Sequence, residues 1–175
     1  MKIVDPETRD LLKSKFSFAQ LPQYKAELQE FRYSKPEQGD RKKTIARLFT
    51  SDLMCGFIQV IKEGGETTLH SHAAMDGLWM VLSGRARFYS EGNAVVGEFG
   101  PLEGVYVPRG VKYSFESVAD EPLQLLQVEG FARELANEYS NYSNISAEER
   151  SARGSTTQYF DARIEQGERQ GPGVK

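Results

Sequence analysis

A chain of 175 residues with 39% hydrophobic and 11% aromatic content is long enough to bury one well-packed core, and a single domain is expected. Its 22 basic and 25 acidic residues leave a net charge of only -3 with no basic block, which argues against a nucleic-acid footprint and for a small-molecule partner. The start, MKIVDPETRD, turns charged before an apolar signal core can form, and the longest strongly apolar run is Leu78 to Leu82, so neither export nor a membrane span is expected. A lone cysteine, Cys55, cannot form an internal disulfide; the expected location is cytoplasmic, with Cys55 a small buried hydrophobe.

Residues 1–40 carry apolar positions at helical spacing and are expected to form a helical extension. Asp5 and Pro6 read as N-cap and first helical residue with Leu11 and Leu12 facing inward, and Pro22 opens a second stretch with a stripe of Tyr24, Leu28 and Phe31. Residues 41–130 change character. TIARLF, GFIQVI, GLWMVLSG, ARFYS, AVVGEF, GVYVPRG, KYSFES and LQLLQV are short β-rich runs punctuated by glycine and proline. Such spacing favours an all-β sandwich or small closed barrel whose strands each turn one face to an interior pocket. Residues 131–175 return to helical spacing at Phe131, Leu135, Tyr139 and Tyr142, and Ser146 with Glu149 has the form of a capping box. The last stretch, EQGERQGPGVK, is polar and glycine-rich, as expected of a frayed tail.

Both histidines of the chain, His70 and His72, lie two positions apart in LHSH. On a strand that spacing sends both rings to one face, and two neutral imidazoles side by side suit iron, nickel, copper or zinc. A third ligand is needed. Asp76 would complete a 2-His-1-carboxylate face if a bulge turns it inward, whereas regular pleating puts it opposite position 77. Tyr113 is the other candidate, as an oxygen ligand or as a pocket phenol that binds substrate and moves a proton. Trp79 and Tyr106 are candidate pocket walls, and Gln59, Arg47 and Arg87 could project inward from their strands.

The stretch GGETTLHSH closing at Gly84, followed by VYVPRGVKYSF, resembles the two paired motifs of the cupin superfamily. Gly64, His70, His72 and Gly84 match the first motif, and Pro108 and Gly110 the second. The resemblance implies a jelly-roll barrel, here with short flanking helices at both ends. It also implies a divalent metal held by three histidines and a glutamate. This chain departs from that set: Gly77 stands at the glutamate position, Tyr113 at the third histidine, Ser117 at the asparagine, and Leu102 where the second motif opens with glycine.

The expected function is therefore that of a small cupin metalloenzyme acting on a small polar organic metabolite. His70, His72 and Asp76 would be metal ligands, with Tyr113 and Asp76 catalytic and Trp79, Tyr106, Gln59 and Arg47 lining the substrate pocket. Fe2+ is favoured, with Mn2+, Ni2+ and Zn2+ as alternatives, and oxygenase, isomerase and lyase or cyclase reactions all fit the resemblance. The altered positions favour the other reading, a metal-free cupin that binds a metabolite as sensor or carrier. A homodimer through the flanking segments or barrel edges is expected in either case.

Overall fold

The computed structural model describes residues 2–3, 28–63, 65–118, 120–132, 139–141 and 157–164. Apart from one three-residue 3-10 turn at Glu91–Asn93, the elements among them are strands. In chain order these are β1 (Lys2–Ile3), β2 (Lys43–Thr50), β3 (Met54–Ile61), β4 (His70–His72), β5 (Met75–Ser83) and β6 (Ala86–Tyr89). They continue with β7 (Val95–Phe99), β8 (Gly104–Val107), β9 (Ser114–Ser117), β10 (Leu123–Phe131), β11 (Tyr139–Asn141) and β12 (Thr157–Asp161). Each of the eight β-rich runs legible in the sequence corresponds to a strand, and LHSH contributes the short β4.

A seven-stranded sheet in the order β1-β12-β2-β3-β10-β5-β8 carries most of the structure, with a three-stranded sheet β7-β6-β9 and a two-stranded ladder β11-β4. Among the described residues the three sheets do not join into one closed ladder, so the jelly roll is an open sandwich rather than a closed barrel. β10 lies inside this sheet between β3 and β5, and its sequence LQLLQVEGF shows why. Residues 123, 125, 127, 129 and 131 are buried and the intervening ones half-buried, the period-2 pattern of a strand with two unequal faces. Two glycines allow tight approaches at the sheet edges. A Cβ at Gly104 would stand 1.9 Å from the Trp79 carbonyl oxygen where β8 joins β5, and Gly84 turns the chain after β5 at φ +77°.

The core between the large and small sheets is aromatic. Phe99, Phe88, Phe115, Trp79 and Tyr113 form a chain with successive ring centroids 5.8, 5.1, 5.0 and 5.9 Å apart, and Tyr113 stands 4.3 Å from the His70 ring. Contacts of this kind add about 0.5–1.5 kcal/mol each beyond the area they bury. They also tie the functional end of the sandwich to its most buried part. Cys55, Phe57, Met75 and Phe131 form a second cluster, which borders the pocket through Met75.

At the described positions of the flanks, strands and bridges stand where helices were expected. Residues 28–30 are not helical, and Phe31 forms an isolated bridge with Arg163. Phe131 is the last inward residue of β10, and Tyr139 belongs to β11, which pairs antiparallel with β4. β12 runs parallel to β2 and brings Asp161 beside Arg47. Backbone pairing with the body of the fold outweighs the helical spacing at these places. The expected helix around Asp5, Leu11 and Leu12, the capping box at Ser146 and the polar tail lie outside the described residues. Among the described residues no helix is long and apolar enough to cross a membrane.

Candidate functional site

The two histidines occupy β4, and their placement follows from its neighbours. On one side β4 pairs with β11, His70 opposite Asn141 and His72 opposite Tyr139. On the other, His70 and Tyr113 exchange both backbone hydrogen bonds, at 3.0 and 2.9 Å, and the Gly110 N–H donates to the His72 carbonyl at 2.8 Å. The Pro108-Arg109-Gly110 turn thus grips β4 from the second motif, with Gly110 at φ +78° supplying the left-handed residue.

The rings of His70 and His72 are perpendicular, with centroids 5.2 Å apart. The Nδ1–H of His70 donates to the Thr68 carbonyl at 2.6 Å, which selects the tautomer with its lone pair on Nε2. Burial is the main cause that pushes the pKa of each ring down to about 4; for His70 the neighbouring His72 and Lys43 add to the fall and the Thr68 bond opposes it. Both imidazoles are neutral at pH 7.

Beside them opens a small cleft lined by His72, Met75, Gly77, Val107, Pro108, Val111, Tyr113 and Glu129. Glu129 had no part in the motif-based expectation. It is 4% exposed, its Oε1 accepts from Gln127 Nε2, and its Oε2 takes the Cys55 Sγ–H at 3.5 Å. Burial lifts its carboxyl to about 7, against the opposing effect of these hydrogen bonds. Gln127 in turn accepts from Gln59 Nε2, so Gln59, Gln127 and Glu129 form a buried polar diagonal across β3 and β10. Its inward direction is written in LQLLQVEGF: Leu123, Leu125 and Phe131 mark the inner face, and Gln127 and Glu129 share it.

The other expected site residues divide. Tyr113, 6% exposed, lines the pocket and touches His70, so it joins the histidines. Trp79 is 3% exposed and lies in the core next to Tyr113, while Gln59 lies deeper, on the polar diagonal. Asp76 does not join them. The β5–β10 ladder runs without a bulge from Met75 to Val81, so Asp76 takes the face opposite Gly77, where its Oδ1 accepts the Arg109 N–H at 2.8 Å. Its structural task is to hold the turn that grips β4. Tyr106 is 62% exposed and pairs with Leu78 on the outer face of the sheet, so it is not a pocket wall. Arg47 is buried in an ion pair with Asp161 at 2.6 Å, away from the pocket lining. Arg87 bridges Glu98 and Glu116 on the small sheet.

The family described as Cupin domain matches residues 57–129. That segment is a cupin domain. It begins in β3 and ends at Glu129, so it contains both histidines, the Pro108-Gly110 turn and the pocket carboxyl. Among solved structures, an uncharacterized conserved protein with a double-stranded β-helix domain from Klebsiella pneumoniae is 16% identical, with 62% of this chain and 84% of that one aligned at a TM-score of 0.50. A cupin family protein from Methanocaldococcus jannaschii is 17% identical over 62% of this chain and 93% of that one, with a TM-score of 0.48. A structure described as DMSP lyases RdDddP and RnDddQII is 18% identical over 51% of this chain but spans only 44% of that one, with a TM-score of 0.42. The likeness to the Klebsiella pneumoniae structure is one of fold. No curated protein matches the chain.

A divalent transition metal fits the imidazole pair in part. The rings are neutral and adjacent, and His70 presents Nε2 with its other nitrogen anchored, the arrangement of a metal-binding histidine. Among the described residues no three His, Cys, Asp or Glu side chains are grouped to share an ion. The pair would supply two coordination positions and leave the others to ligand or solvent.

Proposed function

We propose that the protein is a cupin enzyme acting on a small polar organic metabolite in the pocket between His72, Tyr113 and Glu129, with His70 and His72 binding one divalent metal ion. The observation that carries this reading is the pair of buried, neutral imidazoles beside a pocket that also holds a carboxyl poised near pH 7. Buried groups with displaced titration cluster at sites of chemistry. An iron, manganese, nickel or zinc ion there would supply Lewis acidity toward a substrate oxygen, or activate dioxygen or water.

The chain's own groups do the rest. Glu129 can hold or release a proton at neutral pH, and the Tyr113 hydroxyl can hydrogen-bond the substrate. Met75, Val107, Pro108 and Val111 give the pocket apolar walls that keep water from the reacting atoms. A metal-free metabolite binder is the second reading, favoured by the lack of a third grouped ligand among the described residues.

The chain contains one tryptophan, Trp79, linked to His70 through the Tyr113 ring. Titration of chelator-treated protein with Co2+ is expected to quench its fluorescence with a stoichiometry of one ion per chain. Replacement of His70 and His72 together by alanine removes that quenching. A wild-type protein that takes up no metal, by titration and by elemental analysis, overturns the metal reading in favour of the binder.

A further inference from the structure

The interior of the site holds an unsatisfied donor. The indole Nε1–H of Trp79 is buried and has no hydrogen-bond partner among the described residues. A buried N–H left in that state costs free energy that an incoming acceptor would recover. Its direction is given by its neighbour two residues back: a Cβ built on Gly77 would lie 3.3 Å from Trp79 Nε1. The indole nitrogen therefore faces the space that a side chain at 77 would fill, and Gly77 itself lines the pocket.

Glu129 stands directly opposite Gly77 in the β5–β10 ladder. Side chains in such a pair share one face with Cβ positions about 4.5–5.5 Å apart, and Gly77 and Glu129 both line the pocket. Each of its oxygens already takes one hydrogen bond, from Gln127 or from Cys55. A carboxylate has about four acceptor sites, so capacity for a ligand remains. One donor and one acceptor thus converge on a place whose side chain is missing.

We propose that the space in front of Gly77 is a subsite for a hydroxyl oxygen of the ligand, which accepts from Trp79 Nε1–H and donates to the Glu129 carboxylate. With Glu129 ionised, a hydroxyl is the group that satisfies both at once. A carbonyl or ether oxygen serves only Trp79, and an ammonium serves only Glu129. Glycine at 77 is then a specificity device, since any Cβ there crowds the indole nitrogen and takes the oxygen's place. The subsite deepens the reading of this pocket as a ligand site, and it does not depend on metal.

Because Trp79 is the chain's one tryptophan, the full-length 15N-labelled protein has a single indole N–H cross-peak. The probe is ethylene glycol, compared with 1,2-dimethoxyethane, in which both hydroxyls are capped by methyl groups, with EDTA present throughout. Ethylene glycol is expected to move the indole peak saturably, and the capped ether to do so at least about tenfold more weakly, the scale of one lost hydrogen bond to a charged group. Gly77→Ala abolishes the shift, and Glu129→Gln weakens glycol binding about three- to tenfold by replacing a charge-assisted bond with a neutral one. A wild-type peak unmoved by glycol, an equal response to the ether, or a retained response in Gly77→Ala overturns the subsite. If Gly77→Ala does not fold, the ether comparison and Glu129→Gln decide. Loss of the glycol response with Co2+ uptake intact removes the subsite alone, whereas an intact response without metal uptake removes only the metal reading.

Discussion

Glu129→Gln is expected to stabilise the protein at neutral pH relative to acid, because the native fold holds this carboxyl against its preference to ionise. Burial raises it from the ordinary 4.5 to about 7. The unfolded chain therefore releases its proton first as pH rises, and each step toward neutrality favours unfolding. The stabilising contribution is fully present below about pH 4.5 and is lost progressively as pH rises through about 7. With those two values, linkage gives a loss of about 2 kcal/mol between pH 5 and pH 7.

The buried histidines act in the opposite sense. Their folded values near 4 lie below the ordinary 6.5, so they favour the native state more as pH rises from about 4 to 6.5. Wild type alone would thus show a partial cancellation. The difference between wild type and Glu129→Gln removes the histidine contribution, which both proteins share. Urea denaturation at pH 5, 6, 7 and 8 measures it directly. The variant's stability relative to wild type is expected to rise by about 2 kcal/mol from pH 5 to pH 7, equivalent to roughly 4–8 °C in Tm for a chain of this size. A difference that stays constant across that range would refute the reasoning, because Glu129 would then titrate alike in the folded and unfolded chain.

Asp76→Ala is expected to leave Co2+ affinity within about threefold of wild type while costing about 1 kcal/mol in urea denaturation, since it removes the acceptor for the Arg109 N–H and no metal contact; a metal affinity that collapses would return Asp76 to the site. Tyr113→Phe keeps the ring against His70 and Trp79 and is expected to retain one Co2+ per chain in elemental analysis, because a phenol with an ordinary pKa of about 10 is a poor ligand at neutral pH. A phenylalanine variant that holds no metal would make the phenol oxygen a ligand.

Much of this architecture is legible from local pattern. Alternation in runs such as LQLLQVEGF and GLWMVLSG is imposed by the pleat of a strand, which needs no knowledge of the neighbours, and the eight runs became β2, β3 and β5–β10. The same period placed His70 and His72 on one face, and the proline and glycine of VPRG marked the turn that holds them. What local pattern left open is which face is the interior and which strands lie side by side. Asp76 and Gly77 are adjacent in the chain, yet an unbroken ladder with β10 turns one to the Arg109 turn and the other to the pocket. Glu129 reaches the site because β10 pairs with β5 across the intervening β6–β9, so residue 129 lies opposite the glycine that stands at the glutamate position of the motif. Tyr139, spaced as if on a helix, pairs instead with His72, since backbone hydrogen bonds along an exposed strand edge outweigh a modest local preference. Period is a property of a few consecutive residues; neighbourhood is a property of the packed chain, and here the neighbourhood assembles the pocket.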